Sequence, residues 1–299
     1  MNASKSPSLL VTGGSGHLGR RVVELLLDSR AGHVITTTRH PEKIGDLAAR
    51  GAEIRRIDFD DDLETVTEAF TGAGRMLLVS TDALDRPGRR YEQHQKAINA
   101  AVRAGLRHIV YTSLTHPEPG SPVLIAPDHH QTELALEASG LGVTFLRNNL
   151  YTDLLLMSLP RAVASGHLVA AAGAGGAAYV TRDDCARAAA AALTSDFAGH
   201  RKLDVTGPEV VTYAELADLA GQLTARPVSY VAVDPEKLRA GMVEAGMPRP
   251  VADLWVSFDV GMAQGLFAPA ARTVAELTGH EPTSVKEFLN LHRAALMVE

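Results

Sequence analysis

Residues 9–19 read Leu9-Leu10-Val11-Thr12-Gly13-Gly14-Ser15-Gly16-His17-Leu18-Gly19, an apolar run that passes into three glycines spaced three residues apart. Apolar residues at helical spacing follow over residues 20–27, so the stretch predicts a strand, a tight turn and a helix. Gly13 suits the dihedral angles of the turn, Gly16 admits backbone N–H groups close to a pyrophosphate, and Gly19 brings the helix near the strand. The pattern favours a dinucleotide site over an ordinary strand–helix turn, although chance matches are common among 26 glycines.

The composition is that of a globular protein, since 45% of the 299 residues are hydrophobic and 21% are charged. This length suffices for one large domain or for two closely joined domains. The formal net charge is -6 and basic residues form no run. The sequence therefore argues against nucleic acid and against an anionic membrane surface as partners.

The cysteine and histidine content limits which disulfides and metal sites the chain is able to form. Cys185 is the only cysteine, which excludes an intrachain disulfide and a multi-thiolate metal site. The 12 histidines are scattered without H-x-x-x-H spacing, so no metal site is predicted. Residues 1–8 are polar and no long apolar segment follows, so we expect a cytoplasmic protein without a targeting or membrane-spanning segment.

Five further strand patterns alternate with helical patterns in the first half of the chain. Short segments rich in β-branched and apolar residues predict strands at residues 33–38, 53–59, 76–80, 107–113 and 142–147. This alternation predicts an α/β fold, a Rossmann-type doubly wound parallel sheet with its site at the carboxyl ends of the strands.

The pattern changes beyond Asn148 and becomes mostly helical. We expect an NAD(P)-binding domain over residues 1–155 and a smaller α/β substrate-covering lobe over residues 156–299, with a strand near residues 201–205 returning to the sheet. The glycine- and alanine-rich residues 171–177 are either a tight β connection or a mobile flap over a pocket.

The end of the second strand indicates which dinucleotide binds. An acidic side chain there binds the ribose 2′-hydroxyl of NADH, whereas a cation accommodates the 2′-phosphate of NADPH. This chain has Thr38, Arg39 and Lys43, and no carboxylate precedes Glu42. NADP(H) is therefore favoured and NAD(H) remains possible; the alternative is that the two cations belong to a solvated turn.

Four motifs together carry a resemblance to a known family: Thr12-Gly13-Gly14-Ser15-Gly16-His17-Leu18-Gly19, Tyr111-Thr112-Ser113, His129-x-x-Thr132-Glu133, and Thr144-Phe145-Leu146-Arg147-Asn148-Asn149-Leu150-Tyr151-Thr152-Asp153. From about residue 8 to residue 290, the chain resembles the NmrA-like branch of the atypical short-chain dehydrogenases/reductases. Within that branch it is similar to the bacterial NADPH-dependent quinone oxidoreductases and triphenylmethane reductases.

This resemblance implies an NAD(P)H-dependent oxidoreductase that transfers hydride to a quinone or a similar electron-poor aromatic. His129 and Glu133 stand at the spacing where ordinary short-chain dehydrogenases have Tyr and Lys, which puts simple ketone reduction in doubt. His129 is a candidate catalytic proton donor that Glu133, one turn away, holds charged. Alternatively, His129 contacts the nicotinamide ribose or lines the pocket.

The candidate site residues fall into two groups. Those expected at the cofactor are Gly13, Ser15, Gly16, His17, Leu18, Gly19, Arg39, Lys43, Asp58, Phe59, Leu78, Val79, Ser80, Thr112, Ser113 and Asn148. Those expected at the substrate are Asn148, Tyr151 and Tyr179. Two other functions stay open, a dinucleotide-sensing regulatory protein without catalysis and a tailoring reductase or oxygenase acting on an aromatic polyketide. The protein is expected to be a monomer or a homodimer.

Overall fold

The computed structural model describes residues 8–297. Its strands are β1 (Ser8–Val11), β2 (Val34–Thr38), β3 (Glu53–Arg56), β4 (Ala73–Leu78), β5 (His108–Leu114), β6 (Gly142–Asn148), β7 (His167–Ala170), β8 (Gly176–Ala177), β9 (His200–Val205), β10 (Val211–Thr212) and β11 (Ser229–Ala232). Its helices are α1 (His17–Asp28), α2 (Gly45–Ala49), α3 (Leu63–Phe70), α4 (Arg89–Arg103), α5 (Ala126–Glu137), α6 (Leu155–Ser165), α7 (Arg182–Thr194), α8 (Tyr213–Thr224), α9 (Pro235–Glu244), α10 (Arg249–Ala263), α11 (Thr273–Thr278) and α12 (Val285–Leu291).

Seven strands form the central sheet in the order β3-β2-β1-β4-β5-β6-β9. Leu10 of β1 lies between Ile35 of β2 and Met76 of β4, and both of these pairings are parallel. The strand order reverses between β1 and β4, and open α/β sheets bind their ligands at such a switch point, outside the carboxyl ends of the strands. The predicted Rossmann-type fold is confirmed, and β9 is the expected additional strand of the sheet.

The chain divides into two compact units, each with its own core. The first comprises residues 1–113, 128–147 and 185–203. Phe70, Met76, Tyr111 and Phe145 are fully buried in its core, and burial of each such side chain contributes about 1.5–3 kcal/mol.

The second unit comprises residues 114–127, 148–184 and 204–299. Leu159, Leu216 and Phe267 lie at the centre of its core. Two small sheets, β10 with β8 and β11 with β7, accompany its helices. The division of the chain into domains at residue 155 stays a prediction.

Two details of the helices differ from the sequence patterns. Asp128 precedes a helical pattern and is of a residue type that favours an N-cap, but α5 begins at Ala126, so Asp128 lies in its first turn and does not cap it. The sequence pattern over residues 235–265 predicts a continuous helical stretch, but the chain forms two helices there, because Gly246 adopts a left-handed φ of 91° and Pro248 precedes α10 as its N-cap. Glycine and proline at these positions end one helix and start the next.

Residues 8–297 contain neither a candidate membrane-spanning helix nor a candidate metal site. No helix there is both long and apolar enough to cross a membrane. No three His, Cys, Asp or Glu side chains come together there in a way that holds a metal ion.

Candidate functional site

The glycine-rich turn between β1 and α1 forms the floor of the candidate site. Gly13 has a φ of 68°, a left-handed conformation that side chains with a Cβ rarely adopt. The N–H of Gly14 donates to the carbonyl of Thr37 at 2.9 Å, and the N–H of Gly16 donates to the carbonyl of Gly13 at 2.9 Å. The turn is therefore fixed to β2 and leads directly into α1.

Two glycines of this turn are required for packing. A Cβ at Gly19 would lie 2.4 Å from the carbonyl oxygen of Gly13 and 2.9 Å from that of Thr12. A Cβ at Gly14 would lie 2.1 Å from the Oγ1 of Thr36. Both distances are far below van der Waals contact, so only glycine lets α1 start this close to β1 and β2.

The amino end of α1 has the electrostatic character of a phosphate site. The first N–H groups of a helix have no partner within it, and the helix dipole favours an anion beside them. The first turn of α1 contains no acidic residue, so no side-chain carboxylate competes for these donors. The backbone thus fits a pyrophosphate group.

A cavity of about 450 Å³ opens over this turn at the carboxyl edge of the sheet. Nine residues expected at the cofactor line it: Gly13, Ser15, Gly16, Arg39, Lys43, Asp58, Phe59, Val79 and Ser80. Its lining also includes residues that were not among the expected contacts: Thr12, Thr37, Thr38, His40, Ile57, Thr81, Asp82 and Gln93. Thr38 and Thr81 flank expected residues, but Gln93 comes from α4, and no local sequence signal marks it as a cavity residue.

The other expected cofactor residues of the first unit lie around this cavity without lining it. His17, Leu18 and Gly19 form the first turn of α1, and Leu78 is fully buried at the end of β4. Thr112 accepts a hydrogen bond at its Oγ1 from the N–H of Ser80 at 2.8 Å. These residues hold the backbone that lines the cavity.

Basic side chains surround the cavity at the end of β2. Arg39, His40 and Lys43 all line it. The hydroxyl of Thr38 donates to the Oγ of Ser15 at 2.8 Å and ties this end of β2 to the glycine-rich turn. Arg39 lies 3.8 Å from the carboxylate of Asp82, but both side chains are largely exposed. Such exposed pairs contribute little, so Arg39 remains available to an anionic ligand.

His129 is buried in a network within the first unit and is only 3% exposed. Its Nε2 lies 3.0 Å from the Nη2 of Arg90, and because a guanidinium only donates, this nitrogen accepts. The proton of the neutral ring is therefore on Nδ1, which lies 2.9 Å from the hydroxyl of Tyr111 and donates to it. Burial and then the charge of Arg90 lower the pKa of His129 well below its usual range.

His94 is a second buried histidine, and it contacts a residue that lines the cavity. Its Nε2 accepts a hydrogen bond from the N–H of Thr81 at 2.9 Å, and its Nδ1 donates to the Oγ1 of Thr132 at 3.0 Å. Burial is the main cause that lowers the pKa of His94 to about 3. Both buried histidines are therefore neutral at physiological pH.

Glu133 does not have the role expected from its spacing to His129. Its carboxylate accepts two hydrogen bonds from Arg147, at 3.0 and 2.7 Å, and one from the hydroxyl of Ser113 at 2.6 Å. Lys202 completes the group at 3.6 Å. The carboxylate thus binds α5 to β5, β6 and β9, and the pKa of His129 moves opposite to the direction that a charged proton donor requires.

Comparisons with known proteins identify the family of the chain. The sequence pattern of a family described as NAD(P)H-binding matches residues 13–196. Quinone oxidoreductase 2 of Escherichia coli is 34% identical over 285 residues, which cover 94% of this chain and 97% of that protein. The chain belongs to the NAD(P)H-binding family.

Solved structures resemble this NAD(P)H-binding protein over almost its whole length. A crystal structure of the NADPH-dependent quinone oxidoreductase of Escherichia coli in complex with NADPH has a TM-score of 0.90 and 33% identity, covering 95% of this chain and 99% of that one. The triphenylmethane reductase of Citrobacter sp., complexed with NADP(H), has a TM-score of 0.88 and 31% identity with the same coverage. The expected membership of the NmrA-like reductase group and the expected NAD(P)H-dependent oxidoreductase class are confirmed.

The second unit of this NAD(P)H-binding oxidoreductase contains the residues expected at the substrate. Asn148, at the end of β6, donates from Nδ2 to the hydroxyl of Tyr151 at 3.2 Å. The Oδ1 of Asn148 is buried and accepts no hydrogen bond from the residues that the structure describes. The guanidinium of Arg182 lies over the ring of Tyr151, 5.1 Å from its centre. Their contacts with a substrate or cofactor stay predictions.

Tyr179 is a core residue of the second unit and is only 3% exposed. Burial raises its pKa well above the usual range of a tyrosine. Nearby, the hydroxyl of Tyr213 donates to Asp259 at 2.8 Å, and the N–H of Ala171 donates to the other oxygen of that carboxylate at 2.6 Å. Asp259 therefore fixes the start of the glycine-rich segment 171–177.

Proposed function

We propose that this protein is an NADPH-dependent reductase of quinones and related electron-poor aromatics that works without a Tyr–Lys pair. The observation that carries the choice of cofactor is the end of β2, where Arg39, His40 and Lys43 line the cavity. The side chains of Arg39 and Lys43 are suited to the 2′-phosphate that distinguishes NADPH from NADH. The NADPH complex of the Escherichia coli relative supports the same choice.

The residues present fit a dinucleotide in three respects. The turn leaves no room for a Cβ at Gly14 or Gly19, the first turn of α1 presents unpaired N–H groups, and the cavity extends from the turn to the cationic end of β2. When bound, the nicotinamide supplies the hydride. The protein's own contribution is to hold the backbone around it, through the hydrogen bonds of Thr12 with Val79 and of Thr112 with Ser80, at 2.9 and 2.8 Å.

The class of acceptor follows from what the buried side chains are able to do. His129 and Glu133 stand where related enzymes have Tyr and Lys, and neither is arranged as an acid: His129 is neutral and Glu133 is held by Arg147. A ketone needs a proton donor at its oxygen, whereas a quinone gains an aromatic ring on hydride addition and takes its proton from water. Positioning the acceptor against the nicotinamide supplies most of the rate enhancement. The names of the relatives support quinones and triphenylmethane dyes as acceptors.

The test is oxidation of NADPH, followed at the nicotinamide absorbance, with a panel of quinones, a cationic triphenylmethane dye and a simple ketone. We expect turnover with the quinones and the dye, none with the ketone, and slower consumption of NADH than of NADPH. Binding of NADPH without turnover of any acceptor would contradict the proposal and favour a dinucleotide-sensing role.

A further inference from the structure

We propose that Arg90 is an anion-binding residue that stabilises the negative oxygen formed when a quinone is reduced, and that His129 holds it in place. This inference rests on the proposed function. His129 is then not a proton donor but a neutral hydrogen-bond acceptor that positions Arg90.

Arg90 is the second residue of α4, and only 6% of its surface is exposed. Its side chain makes one hydrogen bond within residues 8–297, from Nη2 to His129. The Nε is buried and has no partner among the described residues. A buried polar group without a partner costs about 1–3 kcal/mol, so the protein maintains this arrangement at the expense of stability.

Two other arginines show how this chain satisfies a guanidinium that has a structural role. Arg89 forms ion pairs with Asp60 and Asp85. Arg75 is also buried, but it donates to three main-chain carbonyls near the end of α7, those of Ala192, Leu193 and Phe197.

Arg90 has no such partners. In the described part of the chain, no carboxylate lies within ion-pair distance of it; the nearby carboxylate of Asp128 is close enough for the charge of Arg90 to oppose the rise in its pKa that burial causes. A buried cation is rarely left unpaired in a folded protein, and an anionic ligand would complete this one.

The side chains around Arg90 keep its charge available. His129 accepts from Arg90 while its own Nδ1 donates to Tyr111. The charge of Arg90 also acts on His94, where it adds to the effect of burial in lowering the pKa of the imidazole. The neutral imidazole of His129 holds the guanidinium in position without neutralising it, which a carboxylate in its place would do.

The position of Arg90 favours a ligand at the carboxyl edge of the sheet. On the same helix, Gln93 lines the cofactor cavity, and His94 binds the N–H of Thr81, which also lines it. Arg90 itself lies one turn from Gln93 and is not part of that lining. A phosphate held in that cavity would not contact Arg90 directly, so the anion that we assign to Arg90 is an oxygen of the acceptor.

The reaction creates such an anion. A neutral quinone that accepts a hydride, one proton with two electrons, becomes a hydroquinone monoanion while NADPH becomes NADP⁺; water then supplies the second proton. A guanidinium beside the oxygen stabilises this monoanion before it is protonated. Hydride addition to a cationic triphenylmethane dye instead gives a neutral product, so no negative charge develops and Arg90 has nothing to stabilise.

The experiment compares these two acceptors in Arg90→Met, Arg90→Lys and Arg103→Met, the last an exposed control on the same helix. With menadione, we expect Arg90→Met to lower kcat about 100-fold and Arg90→Lys to recover much of the loss. With crystal violet, kcat of Arg90→Met should be unchanged or higher. The Kd of NADPH, measured by its fluorescence, should be the same in every variant.

Other outcomes overturn the inference in distinguishable ways. A weaker Kd of NADPH together with slower reduction of both acceptors would assign the anion to the cofactor. Equal losses with both acceptors at unchanged Kd, or no loss at all, would remove Arg90 from the reaction. If the wild type does not reduce crystal violet, kcat with menadione is compared between Arg90→Met and Arg90→Lys. A requirement for positive charge predicts that only Arg90→Lys recovers activity, and equal kcat values in the two variants would overturn the inference. Failure of the wild-type protein to reduce menadione would contradict the proposed function itself.

Discussion

The Nη2 of Arg90 lies 3.0 Å from the Nε2 of His129, and this one contact fixes the protonation state of the histidine. A guanidinium has no acceptor, so the ring nitrogen must carry a lone pair. A protonated His129 would place two positive charges at hydrogen-bond distance in a buried site. The proposed reduction of quinones is therefore expected to proceed without His129 as an acid.

Stability should depend on the buried histidines below neutral pH. The pKa of His94 is lowered to about 3 by burial, so between that value and about 6.5 the unfolded chain binds a proton that the folded chain does not. The contribution of His94 is complete above about pH 6.5 and is lost as the pH falls toward 3. We expect the difference in unfolding free energy between pH 7.5 and pH 4.5 to shrink by about 2–3 kcal/mol in His94→Gln.

The exposed His280 provides the matched control. In urea titrations across the same pH range, His280→Gln should behave like the wild type. Equal pH dependence in His94→Gln and the wild type would mean that His94 titrates normally in the folded protein.

Glu133 should matter for stability more than for the pH dependence of catalysis. Removing one partner of a buried ion pair costs about 3–5 kcal/mol, so we expect Glu133→Leu to lower the free energy of unfolding by this amount. Adding Arg147→Met should recover part of the loss, because it removes a cation whose buried ion pair with Glu133 is already lost. Glu137→Leu, one turn further on α5 in a more exposed pair with Lys202, should cost no more than about 1 kcal/mol. Urea unfolding gives the free energy of unfolding of the three variants. If the Glu133→Leu variant were as stable as the Glu137→Leu variant, the expectation would be refuted.

The pairing of Glu133 also marks the limit of the sequence argument at the site. Spacing on α5 correctly puts His129 and Glu133 one turn apart, but their partners come from other elements: Arg90 from α4 for His129, and residues of β5 and β6 for Glu133. Arg147 of β6 and Ser113 of β5 reach the carboxylate only because the sheet places these strands side by side. Local periodicity contains no information about that choice.

The fold was more accessible to sequence reasoning than the site. Runs of apolar and β-branched residues mark the buried strands, and the glycines of residues 13–19 have the packing roles that their spacing predicts. The cavity residue Asp82 has no sequence signal because the connection from β4 to α4 has no periodic pattern, and Gln93 has none because helical periodicity on α4 does not show which face meets the cavity. Gly246 and Pro248 are a sequence signal for the break between α9 and α10, but the apolar residues at helical spacing on both sides favour a continuous helix.

Gly19 should be intolerant of the smallest side chain. Because a Cβ would lie 2.4 Å from the carbonyl of Gly13, Gly19→Ala must push α1 away from the turn, at a cost of about 1–3 kcal/mol. The same shift should weaken NADPH binding. Gly45→Ala is the control, since a Cβ there meets nothing within 4 Å and its backbone is helical. Urea unfolding and NADPH fluorescence should separate the two variants, and equal behaviour would show that the turn adapts without cost.

The cationic end of β2 gives the sharpest test of the cofactor. Loss of a hydrogen bond to a charged group costs about 1.5–3 kcal/mol, so Arg39→Ala should weaken the binding of NADPH about 10- to 100-fold and leave that of NADH unchanged. Asp82→Asn should have the opposite effect on NADPH, because the carboxylate 3.8 Å from Arg39 repels a 2′-phosphate. Arg103→Ala controls for a change in net charge. Fluorescence titration at two salt concentrations gives the Kd of NADPH and of NADH for the wild type and for each of the three variants. Equal weakening of NADPH and NADH in Arg39→Ala would mean that Arg39 binds a group common to both cofactors, and the preference for NADPH would then need another origin.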